Sequence, residues 1–315
     1  MQQQALHKKL FNSLSFCLVA LLLVCTCSLD CLAGNKPVFG RVLTDRDQVL
    51  QRALKVNATQ YPNADTARVH REMFIRYNKK GHYKFWDEIY QKVLTKRGKK
   101  ELRTISRRFE VSYSNCEFKA AQIIKPDGTR IRIDIRENTK SMIDPSQMGS
   151  NIYNRNIRIL QLNIPELEIG DVLHYLVVKE KKQVVIPDQF SATINFDAFF
   201  PIIFGRCTIT GPAELPLRHK VLKNKISETV DFKKEEKAGR IAYQWTARNV
   251  PQIVPEPEMP PFTNVGQKVL ASSIADWQQI SRWCWHLCKP SMEQTTPAMQ
   301  EKVRQITAGL DSHEQ

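Results

Sequence analysis

Cysteine is scarce in most of this sequence. Of the eight cysteines, four lie within the first 33 residues, and the rest of the chain contains Cys116, Cys207, Cys284 and Cys288. Small exported domains that depend on disulfides for their stability have a much higher density of cysteine. We therefore expect a fold that is held together by a hydrophobic core and not by a disulfide framework.

The signatures of several enzyme classes are also missing. The sequence contains neither a glycine-rich phosphate-binding loop nor a Gly-x-Ser-x-Gly nucleophile motif. Four histidines stand apart from one another, without a spacing that would bring two together as metal ligands: His70, His82, His174 and His219. We predict that these histidines are structural and that the protein uses no cofactor and no metal.

Acidic residues are too few to balance the basic ones, because 47 Lys and Arg face 32 Asp and Glu and give a net charge of +15. A protein this basic is expected to lie against an anionic surface or polymer, such as lipid head groups or the cell wall, with nucleic acid the less favoured partner. The residues predicted to make that contact are Lys92, Lys96, Arg97, Lys99, Lys100 and Arg103. The alternative is a solvated hairpin whose basic side chains prevent edge-to-edge association.

One stretch is apolar enough to interact with a bilayer, and it lies near the start. Two lysines precede an uninterrupted apolar run at Leu18–Val24, and Ala33 provides a small residue for cleavage. This pattern predicts a signal peptide over residues 1–33 and an exported protein in the periplasm or cell envelope. An uncleaved membrane anchor is the alternative, since Leu10–Leu29 is nearly long enough to span a bilayer.

Two segments indicate β-structure most clearly. Val172–Val178 is apolar and β-branched and follows a Gly-Asp turn, so it is predicted to be a central strand buried on both faces. Thr129–Arg136 alternates isoleucine with polar residues after the turn at Pro126–Gly128, which predicts a hairpin strand with one buried face.

Further short strands recur about every ten residues, a spacing typical of an antiparallel β-sandwich. We predict a mainly β fold, with a lead-in at 34–56 and the sandwich domain at 57–249. Within it, Arg155–Leu162 is predicted to pair with Val172–Lys179. Gln189–Phe200 is predicted to pair with Phe204–Thr210, and residues 137–153 read as a long loop.

The pattern changes in the last part of the chain. Residues 250–272 contain five prolines and are predicted to form an extended linker. Residues 273–315 have helical periodicity and are predicted to form a connector of two α-helices. Pro290 is expected to end the first helix, and Thr296-Pro297 to begin the second.

The first helix contains Trp-Cys-Trp-His-Leu-Cys at residues 283–288. Residues two apart on a helix point about 200° away from each other, so Cys284 and His286 cannot form a catalytic dyad. Cys284 and Cys288 share a face, but a metal site would require two more ligands there. Ordinary packing of the helix face is therefore predicted for Trp277, Ile280, Cys284 and Leu287.

The order of several motifs resembles a known family. The motifs are Tyr61–Asp65, Pro126–Thr129, Ile164–Tyr175, Tyr243–Trp245 and Pro251–Pro257. Together they resemble the uncharacterised β-sandwich domain that precedes a transglutaminase-like core in many exported bacterial proteins. The resemblance extends over about residues 57–310 and implies that the helices connect the sandwich to such a core.

The catalytic cysteine, histidine and aspartate of that family belong to the following core, and no position here matches them. The resemblance thus implies a non-catalytic exported module that binds or positions a partner in the envelope, either a separately encoded transglutaminase-like core or another envelope protein. Two alternatives remain. The chain could be the amino-terminal part of a split or truncated transglutaminase or cysteine-protease-like enzyme, or a membrane-anchored structural protein.

Overall fold

A computed structural model describes residues 46–150, 153–222 and 230–309. The predicted signal peptide and most of the predicted lead-in lie outside these residues. β-Strands dominate the described part, and two α-helices follow near its end, so the predicted mainly β fold is confirmed. Over the same residues, no helix is long and apolar enough to cross a membrane.

The described residues form fourteen strands in three sheets. Their bounds are β1 Thr66–Tyr77, β2 Tyr83–Val93, β3 Thr104–Glu110, β4 Ser114–Ile124, β5 Arg130–Arg132, β6 Thr139–Ile143, β7 Ile157–Asn163, β8 Val172–Lys181, β9 Ser191–Asn195, β10 Ile202–Pro212, β11 Arg218–Leu222, β12 Val230–Lys237, β13 Arg240–Val250 and β14 Lys268–Ser272. A large sheet has the order β12-β13-β10-β1-β2-β8-β4-β5, and two small sheets have the orders β11-β14-β9 and β3-β7-β6. The pair β1 and β10 is parallel, a departure from the otherwise antiparallel arrangement that was predicted.

Six α-helices accompany these sheets in the described residues. Their bounds are α1 Arg46–Lys55, α2 Lys96–Leu102, α3 Ile135–Asn138, α4 Phe262–Val265, α5 Trp277–Glu293 and α6 Pro297–Thr307. A 3-10 helix spans Pro145–Ser150.

Both small sheets pack on the same face of the large sheet. Tyr83 and Phe85 on β2 contact the core beneath β11-β14-β9, whereas Ile89 and Val93 on the same face of β2 belong to the core beneath β3-β7-β6. Side chains two residues apart on a strand point to the same side. The two small sheets therefore cover neighbouring halves of one face. Helix α1 covers part of the opposite face, where its Val49 contacts a separate buried cluster.

Where a local pattern determines the structure, the predictions are confirmed. Strand β8 is buried along both faces over most of its length and lies between β2 and β4. The hairpin between β4 and β5 has Gly128 at a φ of 88°, and Ile133 points into the core while Arg132 is exposed. Regular strand structure in β5 ends after three residues, however, because a short helix capped by Asp134 follows.

Two predicted pairings are wrong. Strand β7 lies in a small sheet between β3 and β6, whereas β8 pairs with β2 and β4. The connection between them crosses from one sheet to the other, since Ile164 N–H donates to Arg103 and Gly170 N–H donates to Val93. Similarly, β9 pairs with β14, whereas β10 pairs with β1 and β13.

Three other segments differ from their predicted form. The predicted loop at 137–153 contains strand β6. The predicted linker at 250–272 includes β14, whose Val269 and Ala271 are buried in the core. Pro290 lies inside α5 and does not end it, since the helix continues to Glu293 despite the hydrogen bond that the proline removes and the crowding that it causes.

Candidate interaction surface

The helix α5 begins at a well-formed cap. The carboxylate of Asp276 accepts a hydrogen bond from the backbone N–H of Gln279 at 2.8 Å. In return, the side-chain oxygen of Gln279 accepts a hydrogen bond from the N–H of Ala275 at 2.9 Å. Such reciprocal capping fixes the first turn of a helix. The start of α5 is therefore marked by a local signal in the sequence.

The apolar side chains of α5 are largely exposed. No residue of α5 is buried, and Trp277 at the start of the helix is 82% exposed. Other large apolar side chains that face solvent on this helix are Trp285, Leu287 and Met292. Ile280 and Trp283 are half-buried, and Trp283 lines a cavity of about 290 Å³ with the Val184–Ile186 segment of the sandwich. The predicted packing of the face that includes Cys284 and Leu287 is thus not present in the described residues.

The helix α6 also exposes apolar side chains, and these lie on a narrower stripe. Its N-cap Thr296 accepts a hydrogen bond from Met299 N–H, and Pro297 occupies the first turn, as predicted. Met299, Val303 and Ile306 are spaced by four and three residues and therefore lie on one face. All three are more than half exposed, and Ile306 is 64% exposed.

Exposed apolar faces of this kind require an explanation. A helix of about a dozen residues is marginal in water and normally gains its stability by burying an apolar face. Contiguous apolar surface on a soluble protein commonly marks a binding site. Trp277 and Leu287 lie on one side of α5, whereas Trp285 and Met292 point to another side. We define the exposed residues Trp277 and Leu287 of α5, together with Met299, Val303 and Ile306 of α6, as the helical surface, and it is the strongest candidate for a contact with another polypeptide.

The predicted basic site lies elsewhere, and its basic residues differ in exposure and in ion pairing. A short helix, α2, with Thr95 as its N-cap replaces the predicted hairpin. Lys92 lies outside this helix and donates to the carbonyl of Ala53 in α1 at 2.8 Å, and burial lowers its pKa. It therefore does not belong to the exposed group.

Two further basic residues in α2 are neutralised locally. Arg97 lies 3.1 Å from Glu101 and also pairs with Asp65, and Lys99 lies 2.6 Å from Glu168. Lys96, Lys100 and Arg103 are exposed and form no ion pair with the described residues. These last three are the part of the predicted site that remains available for an anionic surface, and that contact remains a prediction.

The cysteines are placed in two different environments. Cys207 is fully buried in β10 and Cys116 is half-buried in β4, and burial raises the pKa of both thiols. Cys284 and Cys288 are exposed on α5, and a hydrogen bond between their side chains raises the pKa of Cys288. His286 points away and donates to the carbonyl of Arg282 at 2.6 Å. None of these arrangements provides an activated thiolate.

Two histidines that are far apart in sequence come together in the fold. His70 and His174 both contact the ring of Tyr90, because the three residues are opposite one another on β1, β2 and β8. His174 Nε2 lies 2.8 Å from a carboxylate oxygen of Glu88, and His70 lies 3.6 Å from Glu72. Burial lowers the pKa of His70, against the raising effect of Glu72. The sequence could have revealed this row only if the strand register had been known.

These histidines form part of a buried hydrogen-bonded network and not a ligand set. In the described ranges, no group of three His, Cys, Asp or Glu side chains could hold a metal ion. The network lies on the face that α1 partly covers, and Arg52 of that helix lies 3.0 Å from His70 Nδ1. Its geometry supports a structural role for both histidines.

Comparisons with known proteins give a family match and structural matches. A family model described as a domain of unknown function with a solved structure, DUF3857, matches residues 79–254. The crystal structure of a proposed protease from Parabacteroides distasonis aligns with a TM-score of 0.64 at 12% identity, over 78% of this chain and 47% of that chain. An M1 zinc metallopeptidase from Deinococcus radiodurans aligns with a TM-score of only 0.33 at 10% identity, over 66% of this chain and 42% of that chain.

These matches establish different things. The first structure shows the same fold, whereas the score of the second is too low to support an argument. The chain spans about half the length of the solved structures it matches. No curated protein matches the sequence.

Proposed function

The chain belongs to the DUF3857 family of domains of unknown function, and from this premise we propose that it is a non-catalytic, exported β-sandwich module that holds a transglutaminase-like core. The observation that carries this proposal is the helical surface of α5 and α6. The order of motifs supports the choice of partner, because it resembles a domain that precedes such a core. The core would cover the apolar stripe that the sandwich leaves exposed.

The related structure supports an arrangement of this kind. The aligned part of the Parabacteroides distasonis protein is 47% of its chain, so in that protein the fold is accompanied by about as much polypeptide again. In the present chain, α5 and α6 follow the sandwich in sequence and emerge from it at Asp276. The helices are therefore well placed to join the sandwich to a second domain or chain.

The thiols support the non-catalytic part of the proposal. Acyl transfer through cysteine requires a thiolate, a base that orients it, and donors for the oxyanion. Cys116 and Cys207 have pKa values raised by burial, and the nearest histidine in sequence to Cys284 is bonded to a helix carbonyl. Any chemistry of the assembly would come from the partner.

The test is to express the full chain with the transglutaminase-like core encoded by the sequence that continues or follows this one. We expect the two to co-purify in equal amounts. Leu287→Asp and Ile306→Asp should weaken binding about 30-fold or more, because each places a charge in the apolar contact. Gln305→Asp, on the polar side of α6, is the matched control and should bind normally. Equal binding by all variants, or the lack of an adjacent core, would refute the proposal.

The same preparations test for activity. The chain without the core should neither cleave peptides nor incorporate amines, with or without Cys284→Ala and Cys288→Ala. Turnover by the chain alone that is lost in either cysteine variant would identify an enzyme and contradict the non-catalytic module. A core that is inactive alone and active only together with this chain would identify the chain as one part of a split enzyme.

Export is a separate part of the proposal. It is supported by the charged start, the apolar run and Ala33 in the sequence. Mass spectrometry of the protein from the envelope fraction should find an amino terminus near Gly34 or Asn35. An intact Met1 in the mature protein would contradict cleavage and favour the membrane anchor.

A further inference from the structure

A polar row divides the two halves of the core on the covered face of the large sheet. Arg71 precedes the core residue Met73 by two positions on β1, and Asp87 precedes the core residue Ile89 by two positions on β2. Nε and Nη2 of Arg71 donate to the two carboxylate oxygens of Asp87 at 2.7 and 2.9 Å. This is the bidentate geometry in which guanidinium and carboxylate groups bind each other most strongly.

A second arginine joins this row because of an irregularity in β1. The register of β1 against β2 shifts between Arg68 and His70, and this bulge places Arg68 on the same face as Arg71. Arg68 Nε donates to the side-chain oxygen of Gln91 at 3.0 Å, and its guanidinium lies 4.6 Å from the centre of the Phe200 ring. Gln91 in turn donates to Thr66 at 2.8 Å, which fixes its orientation.

A third arginine reaches the row from a small sheet. Arg107 on β3 donates to the hydroxyl of Tyr175 at 3.0 Å, and its guanidinium lies 5.4 Å from the centre of that ring. Tyr175 on β8 is in the same row as Arg71, since both are opposite Ile89 on β2. Arg71 contacts the carboxylate of Asp87 directly, and the charges of Arg107 and Arg68 also lower the pKa of Asp87, so three guanidinium groups from two sheets lie near one carboxylate.

The charges of this cluster do not balance. Arg68, Arg71 and Arg107 contribute three positive charges and Asp87 one negative charge, and none of the three forms an ion pair with another carboxylate of the described residues. Burial, and next the charge of Arg71, lower the pKa of Arg68 to about 10. Excess charge that is removed from water is costly unless a counter-charge is supplied.

Solvent nevertheless reaches the cluster. The side chain of Arg71 is 22% exposed, and Arg68 and Arg107 are half-buried. The cluster is therefore buried enough to strengthen electrostatic interactions, and it still contacts solvent.

We propose that Arg68, Arg71 and Arg107 form a binding site for a small, doubly charged oxyanion, either a phosphate group or a dicarboxylate. Two negative charges would neutralise the surplus of the cluster. Planar guanidinium groups match the oxygens of both ligand types, and Arg68 retains terminal nitrogens that its bond to Gln91 does not use. The site is independent of the helical surface, so it does not rest on the proposed function.

The experiment titrates the full chain with inorganic phosphate and, separately, with succinate, and sodium chloride at equal ionic strength serves as the control. Calorimetry gives the dissociation constant, and thermal unfolding gives the shift in midpoint. At least one of the two dianions should bind saturably and raise the midpoint, whereas chloride should not. The more tightly bound dianion identifies the ligand class. Arg68→Gln should weaken the binding roughly 10- to 100-fold through the loss of a charged hydrogen-bonding group.

Matched variants separate a built site from general attraction to a basic protein. Arg132→Gln removes an exposed arginine of β5 and should leave dianion binding unchanged. Without dianion, Arg68→Gln should unfold at the same midpoint as the wild type or a higher one, because it relieves repulsion. If Arg68→Gln does not fold, Arg107→Gln provides the same test. Equal titrations of the wild type and the folded cluster variant, or an equal effect of chloride, would overturn the proposal.

Discussion

Replacement of Ile209 by Asp is expected to lower the free energy of unfolding by about 3 to 5 kcal/mol. Ile209 lies in the middle of β10 and is fully buried, with Ile75 and Tyr243 beside it on the neighbouring strands. The cluster to which it belongs consists of apolar and aromatic side chains. A carboxylate there would be either charged without a partner or protonated at a cost. A loss of this size is a large share of the total stability of an ordinary domain.

Urea unfolding monitored by tryptophan fluorescence measures this effect. Ile169→Asp is the matched control, because it makes the same chemical change at a position that is 48% exposed. We expect its unfolding midpoint to lie close to that of the wild type. A cooperative transition of Ile209→Asp at the wild-type midpoint would mean that β10 is not an inner strand of the sheet.

The position of Ile209 also illustrates what the sequence could reveal. A strand was predicted at Phe204–Thr210, within β10, and β8 and the β4-β5 turn were also predicted. These signals are local, since alternation, burial and turn residues act within a few positions. The start of α6 at Thr296-Pro297 is another local signal, and it was predicted correctly.

Strand partners outside a tight hairpin could not be identified from such signals. Strands β7 and β8 are consecutive in sequence and have the composition of a hairpin, yet they lie in different sheets. Their separation depends on hydrogen bonds from the connection to Arg103 and Val93, which lie about 60 to 80 residues away in sequence. A pattern in one strand contains no information about a distant partner of this kind.

Local sequence patterns were also insufficient to predict the candidate sites. Helical periodicity identified an apolar stripe on α5 and α6, but a stripe does not reveal what covers it, and packing within the chain was expected where the structure shows exposure. The arginine cluster was not predicted at all. Arg68 and Arg71 are three residues apart and would point to opposite faces of a regular strand, so only the bulge brings them together.

Asp87 is the residue on which that cluster depends, and Asp87→Asn is expected to lower the free energy of unfolding by about 3 kcal/mol. Burial alone would raise the pKa of Asp87, but Arg71, through its charge and hydrogen bonds, and then Arg107 and Arg68 outweigh burial and lower the pKa. The charged form is therefore favoured by folding. An amide at this position would leave three guanidinium groups without a neutralising carboxylate.

The pH dependence of the protein's stability follows from the lowered pKa of Asp87. Because the folded-state pKa lies below the ordinary value of 3.8, the carboxylate contributes stability above about pH 3.8. This contribution is lost as the pH falls through the lower, folded-state pKa. Wild type and Asp87→Asn should therefore differ in stability at neutral pH, and the difference should shrink in strong acid.

Chemical denaturation of both proteins between neutral pH and about pH 2 measures this convergence. Glu101→Gln is the control, because it removes an exposed carboxylate that pairs with Arg97, and exposed pairs contribute about 1 kcal/mol or less. Phosphate should restore part of the stability lost in Asp87→Asn, since the surplus of the cluster rises to three positive charges. If Asp87→Asn were as stable as the wild type at neutral pH, with no added response to phosphate, Asp87 would not be the counter-charge that holds the arginines together.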